Sequence, residues 1–234
     1  MVKEELIKRS PLRLLEKSIH GGVGAGNIGV IAARKGTGKT ACLVHIATDQ
    51  LFQGKHVIHV SFAGRTDHII SWYEDIFGEI AKKRNLENAM EIHDDLIKNR
   101  VVMNFNQEGV TREQLLRSIS ALVDDGSFDA DIIVVDGYDF SKGEPETLVA
   151  LRQFGAEHGL GVWITATTHR EDPAPDPRGI PAILSRFESE ISVLITLTPE
   201  EDHLKLRLLK DHDQYREEDL HLELDSRTLL IREP

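Results

Sequence analysis

The sequence predicts an α/β protein: a central, mostly parallel sheet flanked by helices, with an antiparallel strand extension at the C-terminal end. Three observations carry that expectation. Short apolar runs alternate with helical segments from Ile28 onward, each run is bounded by glycine or polar residues, and from Ile191 the last segments alternate apolar and polar residues. Such alternation is the pattern of antiparallel strands solvated on one face.

The elements follow in order. Ser10 as N-cap and Pro11 at the first helical position open a short helix with Leu12, Leu14, Leu15 and Ile19 on its apolar face, stopping at Gly21-Gly22. The first strand is Ile28–Ala32. The helix after it carries Ala41, Leu43, Val44, Ala47 and Leu51 at helical spacing and ends at Gly54. Val57–Ser61 is the second strand. Two helical segments, one bearing Ile69, Ile70, Tyr73, Ile76, Phe77 and Ile80, lead to a third strand near Val101–Met103. Thr111 and Gln114 form a capping box before a face of Leu115, Leu116, Ile119, Leu122 and Val123. Ile132–Asp136 is the fourth strand. Pro145 starts a helix that ends near Gly159, and Gly161–Ala166 is the fifth strand. A stiff loop with Pro173, Pro175, Pro177 and Pro181 precedes the alternating segments Ile191–Leu197, Leu204–Lys210, Leu220–Leu224 and Thr228–Ile231. One domain over 1–234 is expected, with helix and lead-in over 1–20 and the antiparallel extension over 188–234.

Composition sets the outer limits. A chain of 234 residues with 40% apolar content suits one large core. No stretch approaches the ~18 apolar residues of a membrane span, and the N-terminus lacks a secretory apolar region, so a cytoplasmic protein without membrane contact is expected. The formal charge of -11 argues against a surface broadly adapted to nucleic acid, leaving only a local basic channel for that partner. The single cysteine, Cys42, excludes an intrachain disulfide framework and any multi-cysteine zinc site. His56, His59, His203, His212 and His221 fall into no zinc pattern and read as surface or strand residues. Trp72 and Trp163 read as packed, and Lys82-Lys83-Arg84 as a helix end complementing the dipole.

Between the first strand and its helix stands Ala33-Arg34-Lys35-Gly36-Thr37-Gly38-Lys39-Thr40. Glycines at this junction let successive backbone N–H groups, here Lys35 to Ala41, point inward at an anion, and the helix N-terminus adds a positive dipole. This pattern is a phosphate-binding loop. Lys39 would reach the β- and γ-phosphates of ATP, and the Thr40 hydroxyl would ligate magnesium (Mg2+). The usual motif opens with glycine, and Ala33 stands there instead. The apolar run into Asp136 supplies the matching carboxylate for magnesium's water shell, while Asp139 reads as loop surface.

The arrangement resembles the RecA-like ATPases, and within them the KaiC, RadA and DnaB branch. Ile19 to Gly26 looks like that branch's glycine-rich lead-in, and Ile180–Leu197 with the following hairpin looks like its C-terminal part. The resemblance implies a homo-oligomer, hexamer or filament, whose hairpin offers a Lys-x-Arg pair to the neighbouring subunit's γ-phosphate. Lys210 and His212 stand at those positions, so the lysine is kept and the arginine replaced. The alternative is a solvated hairpin lysine. Thr167-Thr168-His169-Arg170 matches the place of a γ-phosphate sensor, with Thr168 or His169 in that role, or simply a strand end. Relatives follow the second strand with Phe-Glu-Glu and polarise the attacking water with a glutamate. This chain reads Phe62-Ala63-Gly64, so the general base is missing from its place unless Asp67 or Glu74 substitutes. In the loop that lines a channel in DNA-handling relatives, Arg170 and Arg178 are balanced by Glu171, Asp172 and Asp176.

Three functions compete on these grounds. The first is an ATP-binding switch or assembly factor with slow or deficient hydrolysis. The second is an active motor on nucleic acid, like a recombinase or replicative helicase. The third is a small-molecule kinase, disfavoured by the glycine-rich lead-in and C-terminal strands.

Overall fold

The computed structural model describes residues 2–62 and 65–234. Two short helices, α1 (Val2–Lys8) and α2 (Leu12–Ser18), lead into β1 (Ile28–Arg34). Strand and helix then alternate through α3 (Lys39–Phe52), β2 (Val57–Ser61), α4 (Thr66–Arg84), α5 (Ala89–Lys98), β3 (Arg100–Asn104), α6 (Arg112–Val123), β4 (Ile132–Asp136), α7 (Pro145–His158) and β5 (Gly161–Thr168). A 3-10 stretch (Ala182–Glu190) precedes β6 (Val193–Pro199), β7 (His203–Asp211), β8 (Gln214–Asp225) and β9 (Ile231–Arg232). These strands make one sheet in the order β3-β2-β4-β5-β1-β6-β7-β8-β9.

The sheet is parallel from β3 to β6 and antiparallel from β6 to β9. β6 therefore belongs to both parts. The sequence pattern placed 191–197 with the one-face-solvated strands, but β6 pairs in parallel with β1 on one side and is largely buried. Apolar side chains alternate between two cores. Ile31 joins α2, α3, α4 and the C-terminal strands on one face, while Ile28 and Val30 join α6, α7 and the 3-10 stretch on the other. Helix α3 is buried along nearly its whole length, Cys42 included, because α4 and α1 cover the side turned away from the sheet.

Gly29 in β1 shows how tightly this sheet is filled. A Cβ there would lie 2.5 Å from the Trp163 ring and 2.7 Å from the Val23 side chain. Trp163 is itself buried, so it packs as expected.

Local signals behave as their chemistry requires. Thr111 Oγ1 accepts from the Gln114 N–H at 3.2 Å and Gln114 Oε1 accepts from the Thr111 N–H at 2.9 Å, completing the capping box. Thr111→Ala should cost about 1 kcal/mol of stability, read from the denaturation midpoint, whereas Thr111→Ser should cost little. Gly159 ends α7 in the left-handed region at φ 72°. At the N-terminus Ser10 Oγ accepts from the Leu12 N–H at 3.3 Å, and α1 precedes it as a separate helix that the sequence reading did not separate. Of the histidines read as surface or strand residues, His59 is a strand residue. It is fully buried in β2, and its Nδ1 lies 3.0 Å from the Tyr73 hydroxyl.

Candidate phosphate-binding site

β1 ends at Arg34, and the chain turns back into α3 through two left-handed glycines, Gly36 at φ 78° and Gly38 at φ 82°. The two differ in their surroundings. A Cβ on Gly36 would meet nothing within 4 Å, so the loop is open there, whereas one on Gly38 would lie 2.5 Å from Leu224 Cδ2 of β8. The loop is thus open on one side and braced by the C-terminal hairpin on the other.

Three donors converge on the Arg34 carbonyl: the Thr37 N–H at 3.3 Å, Thr37 Oγ1 at 2.6 Å and Lys39 Nζ at 2.8 Å. The Lys39 ammonium thereby spans the base of the loop. Lys39 is only 8% exposed, and burial lowers its pKa to about 8, opposed by the charge of Asp136.

Asp136 arrives at the end of β4, buried and held by hydroxyls. Thr40 Oγ1 donates to it at 3.0 and 3.2 Å, and Thr165 Oγ1 donates at 2.8 Å while accepting from the Gly137 N–H at 3.1 Å. The loop threonine and the strand-end carboxylate, far apart in sequence, are therefore in contact. They meet because β5 alone separates β1 from β4. Thr165 is a site residue the sequence reading missed. Its signal was a lone hydroxyl in an otherwise apolar buried run, one position after the Val135–Ile164 pair.

Thr168 is half-buried at the end of β5 and pairs in register with Arg34, the residue at which the loop begins. His169 is exposed, with its N–H donating to Asp172 at 2.7 Å. Ala63 and Gly64, the positions that carry the glutamate argument, lie outside the described residues. Of the two substitutes, Asp67 receives Arg65 in the first turn of α4 and Glu74 pairs with His93 at 2.6 Å. Asp139 makes a turn rather than a ligand site, accepting from the Ser141 N–H and hydroxyl at 2.9 and 2.6 Å.

Lys210 is not a solvated lysine. It is 6% exposed, and its Nζ donates to the Glu188 carbonyl at 2.8 Å and sits 5.1 Å from the Tyr215 ring centre. Burial lowers its pKa, with Glu188 opposing. It pairs with Leu194, which pairs with Val30, four positions before Arg34 in β1. That offset is roughly 13 Å along the strand, away from the chain's own loop. His212 follows with its Nδ1 on Asp211 at 2.7 Å, and His20 takes the other oxygen of the same carboxylate at 2.7 Å. In the proline loop, Arg178 is taken up by Asp176 and Glu188, so it offers no free cation to a single strand. Among the described residues, no group of three or more His, Cys, Asp or Glu side chains is placed to hold a metal, and no helix is long and apolar enough to cross a membrane.

This topology, with the glycine loop after β1 and the carboxylate at the end of β4, is a RecA-like α/β fold with an antiparallel C-terminal extension. Among solved structures, a DnaB-like replicative helicase, described together with its interactions with primase, superimposes with a TM-score of 0.72. The two share 13% identity over 96% of this chain and 61% of that one, so the likeness is one of fold and this chain spans under two thirds of the helicase's length. No family model matches the sequence, and no curated protein matches it.

Proposed function

We propose that this chain binds magnesium-ATP through Lys35–Ala41 and Asp136, hydrolyses it slowly or not at all, and acts as a nucleotide-controlled switch or assembly factor. The observation that carries the reading is the contact of Thr40 with Asp136 beside the buried ammonium of Lys39. A hydroxyl and a carboxylate side by side are hard oxygen donors of the kind magnesium takes alongside water and phosphate oxygens. When bound, the ion would neutralise phosphate charge. Backbone N–H groups of the loop would hold the phosphates, and the open face at Gly36 leaves room for them. Lys39 would exchange the Arg34 carbonyl for a phosphate oxygen, and Thr40 would exchange the Asp136 carboxylate for the ion.

Slow hydrolysis rests on the sequence Phe62-Ala63-Gly64, where relatives carry the glutamate, and on the engagement of Asp67 and Glu74 elsewhere. ATP binding and magnesium-dependent phosphate release, measured side by side, test both halves. Binding with turnover well below ~1 s⁻¹ is expected, with Ala63→Glu raising the rate. Wild-type turnover at or above ~1 s⁻¹ would sink the slow-hydrolysis half, and no ATP binding would sink the whole.

Affinity should also report on Lys39. Below pH 8 its ammonium is charged before the nucleotide arrives, whereas above pH 8 the free protein loses that proton and binding must recover it. Affinity should therefore fall as pH rises through about 8, by up to about tenfold per pH unit, and titration calorimetry should show proton uptake. Lys39→Arg should remove the slope, because guanidinium stays charged throughout.

The helicase neighbour supports a second reading, an active motor on nucleic acid; in it Lys210 would leave the Glu188 carbonyl for a neighbouring copy's nucleotide, a role implied by the resemblance alone. Phosphate release stimulated by single-stranded DNA or RNA would favour it over the switch.

A further inference from the structure

At the far end of α3 from the phosphate loop lies a cavity of about 230 Å³, walled by α1, α3, α4 and the last residues of the chain. Its floor is apolar: Leu6, Phe52, Ile80, Leu230 and Ile231. Four cations line it, Arg9, Lys83, Arg84 and Arg232, against two carboxylates, Glu233 and the buried Asp49. That excess stands out on a chain whose formal charge is -11.

The cations differ in how far they are already neutralised. Arg232 is paired with Glu223 at 3.3 Å and Asp225 at 2.6 Å, and Arg9 with Glu5 at 2.7 Å. Asp49, buried in the wall, takes Arg13 from outside the cavity and Gln53 at 2.8 Å. Arg84 donates to the Arg9 carbonyl at 2.8 Å, and among the described residues neither Arg84 nor Lys83 pairs with a carboxylate. Lys83 stands close enough to His45 for its charge to oppose protonation of that ring. His45 is 4% exposed and lines the cavity, and its Nδ1 accepts from the Ile231 N–H at 2.8 Å. That bond puts the neutral ring's proton on Nε2, giving the wall one fixed donor.

An apolar floor, two unneutralised cations and an oriented neutral donor form a surface with one kind of complement. We propose that this cavity binds a small amphipathic anion, a compact apolar body bearing one carboxylate, sulfonate or phosphate group. Lys83 and Arg84 hold the anionic group, His45 Nε2–H donates to its oxygens, and the five floor residues take the apolar body. The site is separate from the phosphate loop. Asp49 lies ten residues after Lys39 on the same helix, about 15 Å along its axis.

The probes are 1-anilinonaphthalene-8-sulfonate and N-phenyl-1-naphthylamine, which share an apolar body and differ in the sulfonate. On the folded full chain the sulfonate probe should bind one-to-one, at least about tenfold tighter than the neutral probe. The pair Lys83→Glu and Arg84→Glu should erase that preference while leaving affinity for the neutral probe unchanged. Should the pair fail to fold, as judged by circular dichroism, Lys83→Glu alone decides, because Lys83 forms no ion pair among the described residues. Equal affinity for the two probes, or sulfonate binding unmoved by the substitutions, would overturn the proposal. Lys39→Ala and saturating magnesium-ATP should leave probe binding intact, so this site stands or falls independently of the nucleotide reading.

Discussion

Lys39→Ala should weaken magnesium-ATP binding by about a hundredfold while leaving the fold intact. The affinity follows from the ammonium's position across the base of the loop, where its hydrogen bond to a charged partner is worth roughly 1.5–3 kcal/mol, or about 10- to 150-fold. The unharmed fold follows from what the substitution leaves behind. The Arg34 carbonyl keeps both Thr37 donors, and a charged group whose pKa burial lowers disappears from the interior. Titration calorimetry with ATP and a denaturant melt on the same samples separate the two. Affinity retained within about threefold would mean that this loop does not hold phosphate through Lys39.

Gly29→Val should be strongly destabilising, costing about 3 kcal/mol. The new side chain would meet both the Trp163 ring and Val23 at distances no packed carbon tolerates. Neither the strand nor the ring has a direction in which to give. β1 is paired in register to β5 on one side and β6 on the other, and Trp163 is buried at the position opposite Gly29. Gly36→Ala is the contrasting control. Its methyl would point into open space, so only the left-handed backbone resists, at about 1–2 kcal/mol. A Gly29→Val protein within about 1 kcal/mol of wild type would show that the Trp163 packing is looser than described.

What could be read in the sequence was what the chain settles over short distances. The capping box, the helix stop at Gly159, the loop glycines and the strand running into Asp136 are each local in chemistry, and each is found in place. What could not be read depends on partners brought from far away. Thr165 becomes part of the site only because β5 lies between β1 and β4. His59 is buried because Tyr73 of α4 arrives to meet one nitrogen, and Lys210 because the 3-10 stretch presents a carbonyl. β6 looked like its successors because Ser192, Thr196 and Thr198 interrupt the apolar residues there, but Val193, Leu194 and Ile195 are all buried, since β1 lies on one edge and β7 on the other.

The contact between Gly38 and Leu224 brings β8 against the phosphate loop. Leu224 fills the space a Cβ on Gly38 would need, and the strand's other end carries Tyr215, paired with Lys210 and stacked under Arg178 at 4.4 Å. Between the two, β8 bulges twice, with His221 at φ 51°, so its residues 215–224 lie opposite β7 residues 204–210 and the two contacts are about 20 Å apart. β8 thus stands beside the loop at one end and beside the lysine at the other. Any side chain larger than hydrogen at Gly38 would therefore collide with the same strand that carries Tyr215.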